Sequence, residues 1–117
     1  MSGTTKTTTV RSDSVGRPGV ALNTARMHRF VLDSSSGPGE GLTNTEAFLG
    51  AIASCGVTLI EKHARDTGVA LPGLAVTISG HQAQPDPHRF AAVDVLFEFQ
   101  GVSRETADQL VEVWRAR

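Results

Sequence analysis

The chain has a single cysteine, Cys55, which excludes an intrachain disulfide. It has no excess of either charge. Eleven Lys and Arg against 12 Asp and Glu leave a formal charge of -1, with no basic stripe, which argues against nucleic acid or a membrane surface as the main partner. No apolar run reaches the roughly 20 residues needed to span a bilayer. The first ten residues, MSGTTKTTTV, lack the apolar core of a signal peptide, so a reducing cytoplasm is the expected compartment. His28, His63, His81 and His88 show no metal-ligand spacing, no G-x-G-x-x-G follows a strand, and no G-x-S-x-G marks a serine nucleophile, so no metal or cofactor is expected. There is no internal repeat. A length of 117 residues suits one domain spanning residues 1–117, with room for a core yet small enough to gain from burial against a partner.

What is present centres on residues 43–68, TNTEAFLGAIASCGVTLIEKHARDTG. Thr43 followed by Glu46 is a capping box and predicts a helix start. From Ala47 to Ile60 nearly every residue is apolar or small, whereas Glu61, Lys62, Arg65 and Asp66 are polar and Gly68 suits the position after the helix end. The first half of this helix is therefore expected to be buried. Gly50 and Gly56 each cost about 0.8 to 1 kcal/mol relative to Ala inside a helix, a cost that something must offset. Cys55 lies at the helix centre, among residues too small to crowd the backbone around it.

The flanking segments read as strands and one further helix. Thr4 to Ser12, Val20 to Ala25 and Met27 to Asp33 form an expected three-stranded antiparallel meander, with turn chemistry in SVGRPG, residues 14–19. The third strand has no cleanly polar face, so cover on both sides is expected for part of its length. The glycine-rich loop SSSGPGEG leads into the long helix; it could hold an anion at the helix start, but it lacks the Lys-Ser/Thr ending of a phosphate loop. After the helix, Leu74, Val76 and Ile78 alternate with Ala75, Thr77 and Ser79. Pro85 and Pro87 break the pattern, and Val93, Val95, Phe97 and Phe99 resume it, predicting a hairpin. Ser103 can cap a second helix carrying Ala107, Leu110, Val111 and Trp114 on one face. That helix is expected to be still running at Arg117, so the domain is expected to lack its C-terminal end.

Cys55 is the one candidate nucleophile. Its plain reading is a small core residue. To react it needs thiolate character, hence a positive neighbour, because burial among hydrocarbon alone disfavours the thiolate. Lys62 is two turns away along the helix, about 10 Å, too far for a direct pair. The cation must come from another element, with Arg11, Arg17, Arg26 and Arg29 as candidates. Glu46 could orient such an arginine, although its local role is the cap. It stands about 13 Å from Cys55 along the helix and about half a turn out of phase, so one helix alone cannot join them.

The stretch GPGEGLTNTEAFLGAIASC, together with the order of elements, resembles the OsmC/Ohr family, the osmotically inducible protein C and organic hydroperoxide resistance proteins. The resemblance spans essentially the whole chain. It implies an α+β fold: a strand meander, a long central Cys-bearing helix, a β-hairpin and a second helix, in an intertwined homodimer whose central helices pack together, with Gly50 and Gly56 allowing their close approach. It further implies a thiol peroxidase that reduces organic hydroperoxides in oxidative-stress defence. Cys55 matches the family nucleophile, Glu46 the glutamate at the helix start, and Arg17 in GRPG the arginine that holds the thiolate, with Arg11 as the fallback. The family's resolving cysteine follows the stretch matching Gln109 to Arg117. Without it, Cys55 would be returned by an external thiol. The competing expectation is a non-catalytic dimer that binds a small hydrophobic ligand or has a structural role.

Overall fold

The N-terminal strands exist only where a partner strand lies opposite. In the computed structural model, which describes residues 5–34, 37–82 and 90–116, β1 is Arg11–Ser14, β2 is Val20–Ala25 and β3 is His28–Asp33. They form an antiparallel sheet in the order β1-β2-β3. Arg11 faces Thr24, and β2 ends one residue later at Ala25. Residues 5–10 are not part of the strand, which therefore starts later than the expected Thr4 to Ser12 and runs on to Ser14; Thr4 itself lies outside the described residues. Gly16 and Gly19, at φ 81° and 83°, turn the chain between β1 and β2.

The chain divides into two compact units, Met1–Ala47 and Phe48–Arg117. Among the described residues of the first, the buried side chains are both polar, Asn23 and Asp33. Asn23 is satisfied across the sheet: Ser12 Oγ donates to its Oδ1 at 2.5 Å, and its Nδ2 donates to the Phe30 carbonyl at 3.3 Å. The expected two-sided cover of β3 is not found. Phe30, Val31 and the adjacent Met27 are exposed, and only Leu32 among the apolar residues of β3 is half-buried.

The long helix α1 (Asn44–Asp66, 23 residues) crosses the boundary between the units. Its start is the capping box: Glu46 N–H donates to Thr43 Oγ1 at 3.0 Å, and Thr43 N–H donates to Glu46 Oε1 at 2.9 Å. Its end is a Schellman closure, with Val69 N–H on the Ala64 carbonyl, Gly68 N–H on that of Arg65, and Gly68 at φ 75°.

The second unit carries the apolar core. The hairpin β4 (Gly73–Gln82) and β5 (Phe90–Gln100) pairs in antiparallel register with Val76 opposite Phe97. The hairpin tip with His88, Pro85 and Pro87 lies outside the described residues. Helix α2 (Arg104–Arg115) starts on Ser103, whose Oγ accepts from Thr106 N–H at 3.1 Å. It closes at Arg115 with Ala116 as its C-cap; Arg117, through which the sequence pattern predicts that it continues, lies outside the described residues. Ile60, Ala64 and Leu110 are buried, with Val69, Leu71, Leu74, Phe97, Phe99 and Trp114 packed around them, and the Trp114 indole meets the Phe97 ring edge-on at 5.2 Å.

Two expectations about α1 change. Its first half is not buried within the chain: Gly56, Ile60 and Ala64 are its buried residues, one stripe at spacing i, i+4 and i+8, while Phe48 is 57% exposed and Leu42, just before the helix, is 60% exposed. The hairpin and α2 bury that stripe fully and cover the rest of the apolar half only in part: Leu49, Ile52, Ala53 and Val57 are half-buried, and Phe48 stacks on Phe90 of β5. The two helix glycines also part company. A Cβ on Gly56 would stand 3.3 Å from Trp114 Nε1 and 3.8 Å from Val76 Cγ1, so this glycine admits the indole of its own chain, whereas a Cβ on Gly50 would meet nothing within 4 Å. Of the two, only Gly50 has open space beside it.

Candidate functional site

Cys55 is placed on the surface of α1 rather than in the core. The core stripe begins at its neighbour Gly56, so a residue one step back, about 100° round the helix, lies at the margin of the buried face. Two shallow depressions meet there. One, of about 340 Å³, is lined by Cys55, Thr58, Leu59, Lys62, His63 and Asp66. The other, of about 350 Å³, is lined by Ile52, Cys55, Leu59, Trp114 and Arg115. The sulfur thus stands between a charged hollow and an apolar one rimmed by a guanidinium.

The charges on the first side are already paired. Lys62 Nζ donates to Asp66 Oδ2 at 2.7 Å, and this hydrogen bond, with the ammonium's charge, holds the Asp66 carboxyl below its ordinary value. On the second side Arg115 Nη1 lies 3.4 Å from Glu112 Oε1, both exposed. Trp114 and Arg115 were not among the candidate site residues read from the sequence. Trp114 was legible only as part of an amphipathic face, and nothing local in the sequence says that α2 ends beside the centre of α1.

The expected arginine and glutamate each have partners in the first unit. Arg17 Nη2 donates to Glu40 Oε1 at 2.9 Å, while the Glu46 carboxylate is engaged by Thr43. Glu40 belongs to the glycine-rich loop, and its own N–H donates to Asp33 Oδ2 at 2.6 Å. That donor is therefore taken by the Asp33 carboxylate. Of the other candidate cations, Arg11 pairs with Asp13 two residues on, and Arg26 occupies the β2–β3 turn at φ 56°.

Of the histidines, His81 Nε2 lies 2.8 Å from Asp94 Oδ2 on the exposed face of the hairpin. Among the described residues, no group of three or more His, Cys, Asp or Glu side chains is placed to hold a metal ion. Also among them, no helix is long and apolar enough to cross a membrane.

No family model and no curated protein matches the sequence. Solved structures do match the fold. An OsmC-like protein from Mycoplasma pneumoniae superposes with a TM-score of 0.82 at 13% identity, over 96% of this chain and 82% of that one. The organic hydroperoxide resistance protein OhrB of Bacillus subtilis gives 0.66 at 18% identity, over 95% and 84%. An organic hydroperoxide resistance protein OsmC from Legionella pneumophila gives 0.70 at 19% identity, over 97% and 85%. The chain therefore has the α+β OsmC/Ohr fold, as its Cys-bearing stretch led one to expect.

Proposed function

We propose that this chain is a homodimeric thiol peroxidase that reduces organic hydroperoxides through Cys55 in a reducing cytoplasm. The observation that carries the reading is the placement of Cys55: an exposed thiol on the central helix of an OsmC/Ohr fold, at the mouth of an apolar hollow formed with Ile52, Leu59 and Trp114. The hollow suits the organic part of a hydroperoxide, and the open side of the sulfur admits the reacting oxygen. That similar folds belong to proteins described as organic hydroperoxide resistance proteins supports the same reading.

In the reaction the Cys55 thiolate attacks the terminal oxygen of the hydroperoxide. An S–O bond forms as the O–O bond breaks; the sulfur is oxidised to a sulfenic acid, the peroxide is reduced by two electrons, and the alkoxide takes a proton and leaves as an alcohol. One external thiol then condenses with the sulfenic acid, releasing water and forming a mixed disulfide. A second external thiol frees Cys55 and departs in a disulfide. Arg17 is the cation assigned to hold the thiolate and the leaving alkoxide, and Glu46 its orienting carboxylate, beside its role in the cap.

Dimerisation is supported by surface that the chain leaves uncovered: the first half of α1, with Phe48 and Gly50, and a meander whose buried side chains are polar. The test is peroxide consumption. Wild-type protein with cumene hydroperoxide and a dithiol should turn over, and Cys55→Ser should not, while remaining folded and of unchanged oligomeric state. Equal consumption by the two proteins would replace this reading with that of a non-catalytic ligand-binding or structural dimer.

A further inference from the structure

Arg17 lies in a turn, where an arginine is ordinarily free to sample many rotamers. Here the turn and the glycine-rich loop are fastened together at two points, and the loop is tied to β3 at a third. Ser34 N–H donates to the Gly19 carbonyl at 2.7 Å, at the end of the Arg17 turn. Glu40 N–H donates to Asp33 Oδ2 at 2.6 Å, and Arg17 Nη2 donates to Glu40 Oε1 at 2.9 Å.

Asp33 anchors this arrangement. It is 2% exposed, its N–H donates to the Leu42 carbonyl at 2.8 Å, and its Oδ1 is buried with no hydrogen-bond partner among the described residues. A buried, half-satisfied carboxylate is costly, and it is tolerated where the rest of the structure holds it in place. Gly37 packs where its missing Cβ would collide with that carboxylate. The result is a loop in which the Glu40 backbone is fixed while its side chain reaches outward to the guanidinium.

We infer that Glu40 is a positioning residue for Arg17, a second carboxylate besides Glu46 that holds the guanidinium ready for the sulfur. The inference rests on the assignment of Arg17 in the proposed reaction. A guanidinium has five N–H donors in a planar fork, so one edge can rest on Glu40 while another remains for the thiolate.

The experiment is the single-turnover rate of Cys55 thiol loss with cumene hydroperoxide in wild type, Glu40→Gln, Glu40→Asp, Arg17→Ala and the Arg17→Ala/Glu40→Gln double variant. Glu40→Gln should slow oxidation about two- to fivefold, the range that an exposed, solvent-screened ion pair supports. Glu40→Asp should recover most of that loss, and Glu40→Gln should have no effect when Arg17 is already Ala. The inference is overturned if Glu40→Gln reacts as fast as wild type while Arg17→Ala is slow, an outcome that leaves the Arg17 assignment standing. Equal slowing by Glu40→Gln with and without Arg17 overturns it too. If Arg17→Ala itself reacts at the wild-type rate, the Arg17 assignment fails and the inference with it.

Discussion

Replacing Phe48 by Ser tests whether the exposed face of α1 is the interface of the proposed dimer. A Phe side chain presents about 150–250 Å² for burial, so the exposed 57% amounts to roughly 85–140 Å². At about 25 cal/mol per Å² this is roughly 2–3.5 kcal/mol per protomer if a partner covers it fully. A two-fold interface counts the residue twice, giving roughly 4–7 kcal/mol per dimer, or about 10³- to 10⁵-fold in Kd. Buried area converts to affinity incompletely, so a loss of at least about a hundredfold is the expected outcome. Sedimentation equilibrium across a concentration series reads it directly. The part of the ring already stacked on Phe90, at 6.4 Å between centroids, belongs to the chain itself and shows instead as lower thermal stability of the protomer. A wild-type protein that sediments as a 12.4 kDa monomer at tens of micromolar, or a variant with unchanged Kd, would refute the reasoning.

Gly56→Val should destabilise the fold by about 1–3 kcal/mol in chemical denaturation and shift the emission of Trp114, the one tryptophan in the chain, because its side chain would push into the indole; unchanged emission would contradict that packing. Asp66 should titrate below its ordinary value of 3.8 by carboxyl NMR, returning toward it in Lys62→Met. Because the folded-state value is the lower one, the contribution to stability is present above 3.8 and lost as pH falls through the folded value; an Asp66 titration unmoved by Lys62→Met would contradict the assigned cause.

The parts of the fold that were legible in sequence are those decided within a few residues. Thr43 with Glu46, Gly68 and Ser103 mark helix ends because each supplies a hydrogen bond or a backbone angle that the terminus needs locally, and all three act where expected. Most of the β4–β5 alternation was readable for the same reason: Phe97 and Phe99 pack on the core and Val95 is half-buried, at period two, whereas Val93, expected with them, is exposed. What escaped is what depends on partners distant in the chain. The start of β1 depends on its pairing with β2, and the apolar half of α1 is only partly covered because the hairpin and α2 fully bury one stripe of it. Cys55 could be picked out as the sole thiol in a run of small residues, but the flanking Trp114 and Arg115 could not, being brought there by the packing of α2. Glu40 was visible only as an acidic residue in a glycine-rich loop. Its tie to Arg17 depends on the buried carboxylate of Asp33, which sequence shows only as the last residue of a strand.

The central claim is that Cys55 is a peroxide-reactive nucleophile, and intact mass tests it most directly. Folded protein of 12.4 kDa, treated briefly with a slight excess of cumene hydroperoxide in the presence of dimedone, should gain one adduct, mapped to Cys55 and missing from Cys55→Ser. A folded protein whose Cys55 stays unmodified under those conditions would contradict the account.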